Sequence, residues 1–247
     1  MKHKDLFSGH AKLYATFRPS YPKELYEFVF QHLSNREAAW DCGTGNGQVA
    51  NYLADHLEKV FATDISAKQL EEATPRSNIV YSVSPAEETA FVDHVFDLIT
   101  VGQALHWMNL EKFYSEVKRV GKPGALLAVW GYSILTINPQ LDEHLHHFYK
   151  KIVGPYWDNA RRLVDEEYQT IPFPFEEIKS PRFFITVEWD LNHLAGYLET
   201  WSATQKYITE NKVNPIPALI EKLRVHWKDA AEVKTVAFPL FLRLGRI

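Results

Sequence analysis

The stretch Ala39-Trp40-Asp41-Cys42-Gly43-Thr44-Gly45-Asn46-Gly47-Gln48 decides the fold of this 247-residue chain. It predicts the end of a buried strand, an acidic residue, a glycine-rich turn and the start of a helix. Because glycine lacks Cβ, the alternating Gly43, Gly45 and Gly47 permit positive φ and let a ligand approach the backbone closely. Free N–H groups at the helix start would face that ligand. The stretch therefore predicts a strand–turn–helix unit that binds a ligand.

The spacing of the glycines separates two classes of ligand. Dinucleotide-binding turns follow the pattern G-x-G-x-x-G, and their helix N-terminus meets a pyrophosphate. Here the third glycine comes one residue earlier, and Gln48 takes the dinucleotide position. Asp41 precedes the first glycine by two residues, where a carboxylate would repel a pyrophosphate but could accept hydrogen bonds from an ammonium group. The pattern Asp41-x-Gly43-x-Gly45-x-Gly47 resembles the glycine-rich motif of the class I S-adenosylmethionine-dependent methyltransferases.

This resemblance implies S-adenosylmethionine as the cofactor, with the glycine loop around its amino-acid end. It also implies an α/β fold, with a Rossmann-like seven-stranded, mostly parallel sheet, an antiparallel last strand and, in this chain, a helical cap insertion. Asp64 follows a predicted second strand, and an acid about 20 residues after the turn can bind ribose hydroxyls. By resemblance, Asp64 binds both ribose hydroxyls and Ile65 packs on the adenine. The alternative role for Asp64 is the N-cap of the helix that follows.

A segment after the third predicted strand resembles the part of the family that lies at the edge of the adenine. It reads Ser84-Pro85-Ala86-Glu87. The resemblance makes Ala86 and Glu87 cofactor contacts, whereas Pro85 replaces an aspartate that often binds the adenine amine. The alternative for Glu87 is an ordinary solvated charge in a loop.

The segment after the fourth predicted strand should border the reactive centre, because ligands of open α/β sheets bind beyond the carboxyl ends of the strands. It reads Gly102-Gln103-Ala104-Leu105-His106-Trp107 and lacks the Asn/Asp-Pro-Pro-aromatic motif of nucleic-acid amino methyltransferases. It resembles small-molecule methyltransferases, especially the trans-aconitate methyltransferase group. Gln103 is a predicted cofactor contact, and Trp107 a predicted wall of the acceptor pocket. His106 is the candidate catalytic residue, as a base, as a group that orients the acceptor, or as a hydrogen-bonding partner beneath the cofactor.

A segment near the N-terminus resembles the same small-molecule group. Tyr14 to Pro22 matches a Tyr…Arg-Pro-x-Tyr-Pro pattern that forms part of a lid over the cofactor. The resemblance makes Tyr14 and Arg18 cofactor-binding residues. The guanidinium of Arg18 could pair with the cofactor carboxylate or with an acidic substrate, and a surface salt bridge is the alternative.

The chain is predicted to be one methyltransferase domain over residues 1–247. Its parts are an N-terminal lid segment and helix (1–35), a cofactor-binding core (36–131), a cap insertion (133–180) and a C-terminal completion of the sheet (181–247). The cap region is rich in aromatic residues and carries the adjacent Arg161 and Arg162. Trp130 and Arg161 are therefore predicted substrate contacts for a small, partly apolar acceptor. The alternative is that the tryptophans fill the core of the cap and the arginines are solvated. A strand over 233–244 contains Pro239, which predicts an edge strand or a bulge.

Composition excludes several classes of partner. The net charge is −4, so no basic surface favours nucleic acid. No run of 18 apolar residues predicts a membrane span, and the first residues lack the apolar core of a secretory signal. A single cysteine, Cys42, is typical of a cytoplasmic protein. No metal site is predicted, since the histidines near 144–147 fit a solvated helix face, and the oligomeric state is left open.

The sequence thus predicts an S-adenosylmethionine-dependent methyltransferase whose acceptor is a small molecule, with carboxylic acids among the candidates. Two other functions stay open. One is a non-catalytic S-adenosylmethionine-binding regulatory protein, and the other is a nicotinamide-dependent oxidoreductase.

Overall fold

The structure describes residues 17–247 of the chain in a computed structural model, and the first half of this part holds five strands with a helix between most neighbours but none between the third and the fourth. Every residue of the first strand is buried, as expected of a parallel strand covered on both faces. The strands are β1 (Ala38–Cys42), β2 (Lys59–Asp64), β3 (Ile79–Val83), β4 (Phe96–Gly102) and β5 (Gly121–Tyr132). The helices between and before them are α1 (Lys23–Gln31), α2 (Gln48–Leu53), α3 (Ala67–Glu71) and α4 (Leu110–Val120).

The remaining strands close the sheet in antiparallel fashion. They are β6 (Glu176–Ile178), β7 (Phe183–Trp189) and β8 (Lys234–Arg246), and the order across the sheet is β3-β2-β1-β4-β5-β8-β6, with β7 also paired to β8. β6 and β7 pair with opposite ends of β8, so they share one position at the edge. The eight strands therefore occupy seven positions, which confirms the predicted Rossmann-like sheet with one antiparallel strand.

Pro239 lies inside this sheet, so the predicted edge strand or bulge is wrong. β8 runs between β5 and β7 with regular register on both sides. The carbonyl of Pro239 accepts from the N–H of Ser133, one residue beyond the end of β5. Its missing N–H faces the same side, so the pair with Ser133 keeps one of its two hydrogen bonds, at the point where β5 ends.

Helices cover both faces of the sheet and form a separate layer beyond β5. This layer comprises α5 (Pro139–His147), a π-turn (Phe148–Ile152), a 3-10 turn (Gly154–Tyr156), α6 (Arg161–Asp165), α7 (Leu191–Glu199), α8 (Ser202–Asn211) and α9 (Ile216–Trp227). α9 packs against α5 and α7, and α8 packs against the 3-10 turn. The apolar residues over 191–203 predict a single helix, but the chain turns at Trp201 and makes two. No helix within residues 17–247 has the length and apolarity needed to span a membrane.

Candidate active site

The turn between β1 and α2 requires three residues in the left-handed region. Gly43, Gly45 and Gly47 have φ values of +69°, +59° and +79°. A Cβ at Gly43 would lie 2.7 Å from Ala104 Cβ, and one at Gly47 would lie 2.5 Å from Tyr81 Oη. At Gly45 the nearest atom to an added Cβ would be 3.8 Å away. Packing therefore requires glycine at the outer two positions, whereas Gly45 leaves open space above the loop.

Asp41 supports this loop from below. Its side chain is buried, and its two oxygens accept hydrogen bonds from Thr44 Oγ1 at 2.5 Å and from Thr100 Oγ1 at 2.8 Å. Burial raises the pKa of Asp41 to about 6, although these hydroxyls act in the opposite direction. Both carboxylate oxygens of Asp41 thus accept hydrogen bonds from hydroxyls of the protein, and the hydrogen bond that Asp41 would accept from a ligand ammonium stays a prediction.

Asp64 lies at the carboxyl end of β2, beside the loop. Its two oxygens accept from the N–H groups of Gly45 and Ser66, each at 2.9 Å. Ser66, not Asp64, is the N-cap of α3, since the Ser66 side chain accepts from Gln69 N. The Asp64 carboxylate is thus held in place at the end of β2 by two backbone N–H groups. Ile65 is 41% exposed beside it, an apolar surface next to a fixed acid.

The segment predicted to border adenine is tied to the segment that follows β4. Ala86 is buried, and Glu87 Oε1 accepts from the backbone N–H of Asn109 at 2.8 Å. Asn109 is itself the N-cap of α4. Glu87 is therefore more than a solvated loop charge, because it fixes the loop against the start of that helix.

Two buried polar atoms lie at the carboxyl ends of β4 and β5 without a hydrogen-bond partner among residues 17–247. They are Gln103 Oε1 and Trp130 Nε1. Gly102 is the register partner of Trp130, and a Cβ on Gly102 would lie 3.2 Å from the indole nitrogen. Gln103 adopts a φ of +56°, which is strained for a residue other than glycine. An acceptor and a donor next to the glycine turn fit a ligand that carries an ammonium and a carboxylate.

His106 lies in a 3-10 turn (Leu105–Trp107) directly after this edge. Its Nδ1 is 2.7 Å from Tyr168 Oη, and its ring also contacts Trp107. His106 is half-buried, but the dense packing around it lowers the pKa of His106 to about 3, and the positive charge of Arg161 adds to this effect. The imidazole is therefore neutral near pH 7. Trp107 is half-buried beside it, a position consistent with a pocket wall.

The side chain of Arg161 lies among aromatic rings of the cap. Its Nε donates to Tyr149 Oη at 2.9 Å, and its guanidinium carbon lies 5.1 Å from the centre of the Trp157 ring. Arg162, the next residue, is 77% exposed and pairs with Glu166. The two arginines that seemed equivalent in the sequence therefore have different environments. α6, which carries Arg161, packs against the turn that carries His106.

Arg18 enters the same region from the N-terminal side. Its Nη1 donates to Tyr132 Oη at 2.6 Å, and its guanidinium lies 5.2 Å from the centre of the Tyr197 ring. Tyr14, the other predicted lid residue, lies outside the described residues. Arg18 is thus anchored on two tyrosines, Tyr132 and Tyr197.

Sequence reasoning missed several residues of this region. Tyr168 and Tyr149 reach His106 and Arg161 from distant positions, and no local pattern marks either of them. Thr44 and Thr100 could have been found, because a hydroxyl beside a buried acid is a common way to satisfy it. Among the described residues, no group of three His, Cys, Asp or Glu side chains could hold a metal ion.

Comparison with known proteins agrees with this geometry. The methyltransferase domain family matches residues 40–129. A Dictyostelium discoideum protein described as a methyltransferase is 32% identical, over 99% of this chain and 96% of that protein. A Saccharomyces cerevisiae protein described as an S-adenosylmethionine-dependent methyltransferase is 26% identical, over 66% of this chain and 60% of that protein. The solved structure of a protein described as a type II methyltransferase, from Anaeromyxobacter dehalogenans, has a TM-score of 0.87 and 32% identity, and covers 94% of this chain and 98% of that chain.

The chain belongs to the class I S-adenosylmethionine-dependent methyltransferases. The matched residues run from β1 to β5 and include the glycine turn, Asp64 and the segment with His106. This membership sets aside the nicotinamide-dependent alternative. It leaves the methyl acceptor to be argued from the residues around the site.

Proposed function

We propose that this methyltransferase transfers a methyl group to a small carboxylic acid, which it holds through the guanidinium of Arg161. The observation that carries the proposal is that this side chain is largely buried but makes few hydrogen bonds. The side chain of Arg161 is only 18% exposed, yet its only hydrogen bond to residues 17–247 comes from Nε. The nearest carboxylate, Asp165, is 3.4 Å from the same Nε and is itself 43% exposed. The two terminal nitrogens are thus available, and their planar arrangement suits a carboxylate.

The position of Arg161 relative to His106 supports the same acceptor. The charge of Arg161 lowers the pKa of His106 and also acts on Tyr168. An anion at Arg161 would therefore lie near the turn that follows β4. The aromatic rings beside it, Tyr149 and Trp157, would cover the apolar part of a small acid.

The residues that would hold the cofactor form a continuous row at the carboxyl ends of the strands. Asp64 would bind the ribose hydroxyls, Ile65 would pack on the adenine, and Ala86 and Glu87 would border it. Gln103 and Trp130 would meet the ammonium and carboxylate at the other end, with Arg18 and Tyr14 contributed by the N-terminal lid. Trp130 then serves the cofactor more than the acceptor, because only 1% of it is exposed.

The chemistry requires little acid–base assistance. Bound S-adenosylmethionine supplies a methyl group on a positively charged sulfur, which is already activated toward a nucleophile. A carboxylate oxygen held by Arg161 would attack this methyl group in line, and the electron pair of the broken C–S bond would stay on sulfur. No proton has to leave the acceptor. The protein contributes by aligning the two partners and excluding water, and a neutral His106 orients the acceptor instead of accepting a proton.

We also propose that residues 133–180, with α8 and α9, form the acceptor cap over a cofactor core of residues 36–131. A cytoplasmic location is a further proposal, supported by the single buried cysteine, Cys42.

The acceptor proposal is tested by a methyl-transfer screen against small carboxylic acids, phenols and neutral alcohols, read by mass spectrometry. We expect acids to be methylated. Arg161→Gln should raise KM for the acid about tenfold or more, since it removes a charge-assisted contact. Arg162→Gln removes the same charge one residue away and should leave KM unchanged. Methylation confined to neutral acceptors, or equal effects of the two variants, would contradict the proposal. Binding of S-adenosylmethionine without transfer to any acceptor would favour a regulatory protein.

A further inference from the structure

We infer that Tyr168 is a positioning residue that holds His106 in one neutral tautomer, with the imidazole proton on Nε2. The inference concerns the site of the proposed function and rests on it for its catalytic consequence. The tautomer of His106 itself is inferred from the contacts of Tyr168 alone.

The direction of the hydrogen bond between the two residues follows from burial. Tyr168 is 0% exposed, and within residues 17–247 Nδ1 of His106 is the only acceptor within reach of its hydroxyl, since the backbone N–H of His106, which also interacts with that oxygen, is a donor. If Nδ1 were the donor, the phenolic proton would be buried without an acceptor, which is costly. The hydroxyl therefore donates to Nδ1. A neutral imidazole with Nδ1 as acceptor carries its proton on Nε2.

The phenol is not free to make another bond, because its backbone is fixed at both ends. Glu167 and Tyr168 have φ values of +51° and +56°, two successive left-handed residues that are not glycine. Such strain persists only where the surroundings over-determine it. The N–H of Tyr168 donates to Leu163 O at 2.8 Å, and its carbonyl accepts from Arg243 Nη1 at 2.9 Å. The ring packs edge-to-face on Phe241, with 5.1 Å between the ring centres.

Nε2 of His106 is on the other side of the ring, and no residue within 17–247 hydrogen-bonds to it. Fixing the proton there makes His106 a hydrogen-bond donor toward the acceptor pocket. A donor can orient an acceptor oxygen and cannot remove a proton from it. Tyr168 would therefore determine which acceptors the site can align, although it does not touch them.

The test is the tautomeric state of His106 in the cofactor-free protein, measured by NMR with ¹⁵N-labelled histidine. We expect one histidine to show the signature of an Nε2–H imidazole, unchanged between about pH 5 and pH 8. Loss of this signal in the His106→Asn variant assigns it to His106. Tyr168→Phe keeps the ring packing and removes only the hydroxyl, and should convert the signal into a mixture of tautomers. An Nδ1–H signature in the native protein, or an unchanged signature in Tyr168→Phe, would overturn the inference.

A matched control comes from a second buried tyrosine. Tyr114 is 6% exposed, and its hydroxyl has no hydrogen-bond partner among the described residues. Tyr114→Phe should leave the His106 signal unchanged. With an active acceptor, Tyr168→Phe should lower kcat about tenfold or more, while affinity for S-adenosylhomocysteine stays the same; Tyr114→Phe should do neither. Because the NMR readout needs no acceptor, failure of the acid proposal and failure of this inference are separate results.

Discussion

Asp41 carries a negative charge in a place where a charge is costly. Its carboxylate is almost fully buried, and two threonine hydroxyls are its hydrogen-bond donors. Burial raises the pKa of Asp41 to about 6 from an ordinary value near 3.8. Near pH 7 the ionised group therefore destabilises the cofactor-free protein. A cationic ligand over the loop would offset that cost, so the arrangement favours binding at the expense of stability.

The Asp41→Asn variant should reveal this trade-off. Because the pKa is raised in the folded state, protonation of Asp41 favours folding, and that contribution is lost as the pH rises through about 6. Relative to the native protein, the asparagine variant should lose its advantage in unfolding free energy by about 1.4 kcal/mol per pH unit as the pH falls from about 6 toward 3.8. Urea titrations of both proteins at several pH values measure this difference. A difference independent of pH would show that Asp41 titrates normally.

Residues of the site fall into those that a local motif marks and those that only the folded chain brings together. The glycines and Asp64 could be predicted because the turn and the strand end fix their positions relative to one another. Tyr168 could not, since it lies 62 residues from His106 in the sequence. Arg161 was predicted from its position near aromatic residues, but its difference from Arg162 depends on which face of a five-residue helix is covered.

At the scale of single elements, the glycine turn is the proposed cofactor loop. Gly45 and Gly124 both have positive φ, at +59° and +82°. Neither would bring an added Cβ into close contact with another protein atom. They differ in place, since Gly45 lies in the turn above Asp41, whereas Gly124 lies near the start of β5 at the opposite end of the sheet.

These two glycines give a controlled test of the cofactor loop. Gly45→Ala and Gly124→Ala should each destabilise the protein by about 1 kcal/mol, because alanine is strained at positive φ. Only Gly45→Ala should also lose affinity for S-adenosylhomocysteine, by tenfold or more, since the methyl group occupies the space above the loop. Calorimetric titration of both variants measures this. Equal affinities would mean that the ligand does not approach Gly45.

Elements were predictable in proportion to the regularity of their pattern. The apolar run over 95–101 predicts a strand, which the structure has at Phe96–Gly102, and the apolar stripe over 217–228 predicts a helix, which it has at Ile216–Trp227. The three residues of β6 could not be predicted, because two glutamates and an isoleucine carry no strand pattern and only β8 recruits them. The turn at Trp201 between α7 and α8 could not be predicted either, because apolar residues continue through it.

At the scale of the whole molecule, cofactor binding should raise the free energy of unfolding. A ligand that binds only the folded state at 100 times its Kd stabilises by about 2.7 kcal/mol, or on the order of 5–10 °C in Tm for a chain of this size. We expect S-adenosylhomocysteine to give such a shift and NAD⁺ to give none. Asp64→Asn keeps the shape of the side chain and should abolish most of the shift, because the ribose loses a charged acceptor. Differential scanning calorimetry measures the Tm of the native protein with each ligand and of Asp64→Asn with S-adenosylhomocysteine. An undiminished shift in Asp64→Asn would show that Asp64 does not bind the cofactor.

The strand β8 comes after all the others in the sequence, yet it lies between β5 and the edge strands. Roughly a hundred residues separate the end of β5 from the start of β8. During synthesis, the outer edge of β5 therefore has no partner strand until β8 has been made. An unpaired strand edge can associate with other chains. Arg243, which holds the carbonyl of Tyr168, belongs to β8. The parallel half of the sheet can assemble early. The contact through which Arg243 holds Tyr168, and through it His106, must form late because it needs β8. The nascent chain therefore passes through a stage at which it can aggregate and cannot yet catalyse methyl transfer.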